Sequence, residues 1–242
     1  MTKNKISIVL AFALIIPLLV SCTRNEDNED PKIPVREFYF DNDAEGFAPI
    51  FADFSPWGLS DSEVRDYYQM TYSRKMIPVK EAESYGLYIA SMNRSDDIFM
   101  GYVKEISGLT ANTKYTFQIS FKLATDVEAG LSGPGGAPGE SVFVKVGVAT
   151  EYPIVGTAPD GSKRILNVDI GIQAHGGRDL VVVGNMAKPV GSTEGFVFKS
   201  MSVERVATTN SAGQIFLIIG TDSGYEGFTE YYLDDIILRF WK

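Results

Sequence analysis

Trp57 sits in the turn-like run Ser55-Pro56-Trp57-Gly58, and Tyr67, Tyr68 and Tyr72 follow closely. A flat ring held at a surface covers the apolar face of a pyranose while polar neighbours take its hydroxyls, so these four are the candidate carbohydrate-binding residues. A loop tryptophan also serves as a lid packed on one end of a domain, and that alternative stays open. Asp96 and Asp97 are adjacent carboxylates. Glycoside hydrolysis needs two acids held ~5 Å or ~6.5–9.5 Å apart, but an acidic chain offers many such pairs, and Asn93 to Asp96 reads as a turn. His175 is the single histidine, between Ala174 and Gly176. No Gly-x-Ser-x-Gly elbow accompanies it, so it reads as a loop residue. No catalytic residue is assigned.

Cys22 is the single cysteine. It follows Lys3, Lys5 and an apolar run from Ile6 to Val20, about 15 residues where a membrane-crossing helix needs ~20. A basic flank, a short apolar stretch and small residues at its end make a signal peptide. Leu19-Val20-Ser21-Cys22 resembles a lipobox, which implies diacylglycerol on the thiol and cleavage before Cys22. A lone cysteine in an exported chain calls for such a reason. Residues 1–21 are therefore expected to be a lipoprotein signal peptide. Residues 22–33, dense in charge from Arg24 to Lys32, are expected to be an acidic flexible tether. The acidic stretch also resembles the surface-export signal of Bacteroidota lipoproteins. Together these imply an exported protein held to the envelope, at the outer membrane and exposed on its surface.

Residues 34–242 remain for one domain. A net charge of −9 argues against nucleic acid as partner and against electrostatic docking on anionic lipid, leaving membrane attachment to the lipid on Cys22. With one His and one Cys, zinc sites built from those residues are excluded. The run from Gly130 to Gly139 is too rich in Gly and Pro for a strand, and it lacks the Lys-Ser/Thr of a phosphate loop. It reads as a surface loop, as does Pro153 to Lys163 around Pro159-Asp160-Gly161-Ser162.

These residues must be positioned by strands. Lys114 to Phe121 alternates cleanly, with Tyr115, Phe117, Ile119 and Phe121 on one face, and Val142, Val144, Val146 and Val148 repeat the pattern. Further β-rich runs lie at 36–40, 85–91, 97–106, 164–170, 180–183, 196–206, 214–219 and 230–240. One short helix, capped by Ser60, is expected within 60–72. Strands without intervening helices exclude a parallel βαβ sheet. The expected fold is all-β, a two-sheet antiparallel sandwich.

Three passages resemble the galactose-binding-like jelly rolls that include many carbohydrate-binding modules: Phe38 to Phe47, Ile106 to Phe117 and Tyr231 to Leu238. The resemblance implies a structural Ca²⁺ held by Asp41 on the first strand and Asp234 on the last, with Asp43 or Glu45 nearby. It also implies a glycan ligand. The domain is longer than the familiar sugar-binding modules, which leaves the binding face open. Asn93 to Met100, Gly135 to Val142 and Gln173 to Gly177 further resemble a family of uncharacterised secreted or lipid-anchored bacterial proteins.

The expectation is a lipid-anchored, non-catalytic carbohydrate-binding sandwich. The alternatives are an accessory protein of a surface assembly and a glycan hydrolase.

Overall fold

The computed structural model describes residues 33–94 and 97–242, so Cys22, the signal peptide, the tether up to Lys32 and Asp96 lie outside the described residues. The strands are β1 (Val35–Phe38), β2 (Ala48–Ala52), β3 (Thr71–Met76), β4 (Tyr85–Met92), β5 (Ile98–Ile106), β6 (Lys114–Thr125), β7 (Val142–Ala149), β8 (Val155–Thr157), β9 (Arg164–Leu166), β10 (Leu180–Asn185), β11 (Val197–Thr208), β12 (Ile215–Ser223) and β13 (Phe228–Trp241). The helix α1 spans Asp61–Tyr67. One antiparallel sheet runs β11-β6-β13-β4-β3 with β1 also on β13, and a second runs β10-β7-β12-β5-β2. From β4 to β7, and again from β10 to β13, consecutive strands alternate between the sheets, the winding of a jelly-roll sandwich.

Alternation explains the interior. Tyr115, Phe117, Ile119 and Phe121 face Val142, Val144, Val146 and Val148 across one core, joined by Leu217, Ile219, Leu233 and Leu238. Burying such side chains contributes roughly 1.5–3 kcal/mol each. The outward faces of the two sheets differ. That of the five-stranded sheet is covered: Ile50, Phe99, Val103, Phe216 and Ile218 pack under Leu166, Val168 and Ile170. The long excursion from β7 to β10 is thus a second layer, and all nine residues of β12 are buried. On the other sheet, β6 and β11 present Ser120, Ser200 and Ser202 beside Lys122 and Asp235 around an open depression of about 300 Å³.

The 60–72 segment holds the short helix expected there. Ser60 caps α1 in a reciprocal box with Glu63, and the helix stops at Tyr67. Gln69 then takes a positive φ of 50° and the chain enters β3, which pairs with β4. The 164–170 run is strand only to Leu166 and then caps the covered sheet. The Gly-Pro loop is a surface loop as expected, pinned where Pro134 O accepts from Glu226 N and Ser141 O accepts from Gly224 N. A Cβ on Gly135, at φ +70°, would lie 2.2 Å from Gly224 O, so this contact requires glycine.

Candidate functional site

The four candidate aromatics divide between surface and support. Trp57 is 62% exposed, Tyr72 52% and Tyr67 41%, whereas Tyr68 is fully buried. Tyr68 is therefore corrected from a contact residue to a foundation, since its ring packs on Phe54 and edge-to-face on Tyr67. Its hydroxyl donates to Ser55 O at 2.9 Å and accepts the indole N–H of Trp57 at 3.2 Å. Its carbonyl accepts from Met92 N and from Ser91 Oγ. α1 and the end of β4 thus fix Tyr68, and Tyr68 fixes Trp57. Trp57 holds a positive φ of 51°, which turns its side chain out of the β2–α1 loop.

Arg94 lies over the Tyr67 ring with its guanidinium carbon 5.0 Å from the centroid, and its Nε donates to Tyr67 O. Such stacking is worth about 0.5–1 kcal/mol at an exposed position. Tyr72 stands apart on edge strand β3, so the structure brings together Trp57 and Tyr67 around Tyr68 and leaves Tyr72 at the sandwich margin.

The expected calcium ligands sit in different surroundings. Asp41 is exposed, and its carbonyl accepts a hydrogen bond from Arg74. The same guanidinium donates to Phe40 O and lies over the Tyr85 ring. Asp234 is buried, and desolvation raises its carboxyl above the usual range. Its neighbour Asp235 pairs with Lys122 at 2.5 Å. Asp43 accepts from Glu45 N, closing a local turn.

Among the described residues, one acid trio converges, and it is a different one. Carboxylate oxygens of Asp53, Asp97 and Asp222 lie within 4.8 Å of one another. Asp53 follows β2, Asp97 precedes β5 and Asp222 lies on β12, so the sandwich brings three chain segments to one corner. Lys145, on β7, donates to Asp222 Oδ2 at 2.6 Å and to Ile170 O, and both charged side chains are fully buried. Gln173 N also donates to that oxygen. Asp222 Oδ1 is enclosed and receives no hydrogen bond among the described residues. Lys163 donates to Asp97 Oδ2 at 3.1 Å. Desolvation, with the charge of Asp222, pushes Asp97 up to about 7 and Asp53 up to about 6.

This corner adjoins the aromatic surface, for Asp53 shares the loop of Trp57 and Asp97 shares the loop of Arg94. Sequence reasoning singled out Asp97 in another role and missed Asp53, Asp222, Lys145 and Lys163. The available signal was opposite charge inside apolar strands: Lys145 within Val142 to Val148, and Asp222 after Ile215 to Thr221. A charge there requires a partner if the outer face is covered. His175 is exposed in a turn where its backbone exchanges hydrogen bonds with Ile172.

No protein-family profile matches the chain, and no curated protein matches it either. Among solved structures, it is similar to the CBM22-1 xylan-binding domain of Xyn10C from Paenibacillus barcinonensis, at 10% identity and a TM-score of 0.40, covering 87% of this chain and 96% of that one. It is similar to CBM27-1 of Caldicellulosiruptor saccharolyticus, in complex with mannohexaose, at 11% identity and a TM-score of 0.40, covering 85% of this chain and 96% of that one. A third is the CBM22-1–GH10 part of endo-1,4-beta-D-xylanase 10B from Clostridium thermocellum, complexed with xylohexaose, at 12% identity and a TM-score of 0.40. That match covers 85% of this chain and 28% of the xylanase chain, so this chain spans under a third of that protein's length.

Proposed function

We propose that this chain is a lipid-anchored, non-catalytic β-sandwich that binds carbohydrate on the surface formed by Trp57 and Tyr67. The observation that carries the reading is that Trp57 is largely exposed while its indole N–H is fixed on the fully buried Tyr68. A large apolar ring held open to water in one orientation gives up little conformational freedom on binding, which is what a sugar platform needs. Arg94 and the polar α1 turn supply donors and acceptors at its margin.

Pro34 O accepts from Phe240 N, so the described chain starts at the C-terminal end of β13. The aromatic surface lies at the other end, where Phe228 pairs with Met92. The 14 residues of β13 separate the two, about 40 Å of strand.

The test is a glycan-array screen of soluble protein beginning at Pro34, repeated with Trp57→Ala. Binding to a defined glycan that falls at least tenfold in the variant is the expected result. A folded protein that binds no glycan, or binds equally well without the indole, would overturn the reading.

A further inference from the structure

Among the described residues, the corner beside the platform holds three carboxylates against two ammonium groups, which leaves one negative charge in excess where little solvent reaches. Lys145 is committed to Asp222 inside the protein, and Lys163 serves Asp97 from the partly exposed side. Asp169 is the next acid toward Lys145, and its carboxylate is already taken by the N–H groups of Gly171 and Arg178. Three ionised carboxylates within 4.8 Å repel strongly at the low effective dielectric of an interior. The cheapest relief is a retained proton, as in carboxyl pairs that cannot both ionise.

We infer that Asp53 and Asp97 share one proton, and that its removal by base pushes apart the two loops carrying Trp57 and Arg94 and so disassembles the aromatic surface. The inference concerns regulation and rests on the reading of that surface as a binding face. Geometry ties the charge to the platform at short range. Asp53 takes a positive φ of 58°, and its N–H is held by Arg164 O. It leads through Phe54, which packs on Tyr68, to Trp57 four residues on. Asp97 leads into Ile98, which packs in the same cluster with Phe54 and Tyr68. Repulsion between the two acids therefore acts on both sides of the foundation residue. The upward shifts at both carboxyls agree with this.

The experiment needs no ligand. Trp57 and Trp241 are the two tryptophans, so Trp241→Phe leaves Trp57 as the single indole reporter. Its emission maximum and acrylamide quenching are followed from pH 5 to pH 9 in that background, with and without Asp97→Asn. The expected result is a red shift and stronger quenching as pH rises through neutrality, absent in the asparagine variant. Circular dichroism shows that each variant is folded, and Asp53→Asn serves in the same way should Asp97→Asn not fold. No transition in the parent, or a transition that survives the neutral variants, overturns the proposal. An array negative at every pH defeats the sugar reading and leaves the fluorescence transition standing, so the two failures are distinguishable.

Discussion

Two corners of the sandwich carry acids on their strands and neutralise them in opposite ways. At the bulge of β13, Asp235 meets Lys122 where the side chains remain 32% and 41% open to water, and Arg74 takes the carbonyl oxygens of Phe40 and Asp41. At the end of β12, Asp222 meets Lys145 with neither side chain accessible. The chemical pairing is the same, but the solvent is not. Water screens the first pair and makes it nearly dispensable, whereas the second carries a desolvation cost that only an intact pair offsets.

Lys145→Met should give the largest effect. It strands the Asp222 carboxylate in the interior and costs about 3–5 kcal/mol of unfolding free energy. Chemical denaturation followed by far-ultraviolet circular dichroism measures it. The double variant Lys145→Met, Asp222→Leu should recover much of the loss, because the stranded charge goes with its partner. A single variant within 1 kcal/mol of the parent would mean that the interior pair behaves like the surface pair.

The second effect is on pH dependence. Asp97 and Asp53 are raised in the fold to about 7 and about 6, against roughly 3.9 for an unfolded aspartate. Between those values the folded chain holds protons that the unfolded chain has released. Stability therefore falls as pH rises from about 4 to 7 and levels off above. Asp97→Asn should flatten most of that slope in melts taken from pH 4.5 to pH 8.5. Burial at Asp234 tilts the curve the same way.

The contrast between the corners also marks how far the sequence could be read. Strict alternation in Lys114 to Phe121 and Val142 to Val148 made the sandwich legible, because period-2 burial is a local property. The same alternation puts Lys145 on the outer face of β7, where water is the natural expectation. What buries it is a layer supplied by residues up to Leu180, and that covering is a long-range fact that no local pattern encodes. β2 escaped notice because Ala48 to Ala52 is short and contains proline, tolerated on an edge strand. Trp57 was legible as an exposed loop aromatic, from its Pro-Gly setting. That adjacent Tyr67 and Tyr68 would part company was not, since the end of a seven-residue helix decides which ring turns inward. The acid trio joins positions 53, 97 and 222, and only the sheet order β2-β5-β12 makes them neighbours.

The smallest effect belongs to the exposed pair. Lys122 Nζ sits 2.5 Å from Asp235 Oδ2, and that hydrogen bond raises the lysine above its usual range. The favourable field is largely screened because both partners remain open to water, and a long side chain is held in one conformation to make the contact. The ammonium also lies over the Phe198 ring at 5.3 Å, and the alkyl stem that carries it is retained in part by methionine. Lys122→Met should therefore cost under about 1 kcal/mol in the same denaturation assay. The difference from the parent should shrink further as salt is raised toward 1 M, where the screening length falls to ~3 Å. The Lys145→Met cost should hardly respond to the same salt, because no counterion reaches the buried pair. A salt-insensitive loss above 2 kcal/mol at Lys122 would place that lysine with the interior group and remove the distinction between the corners.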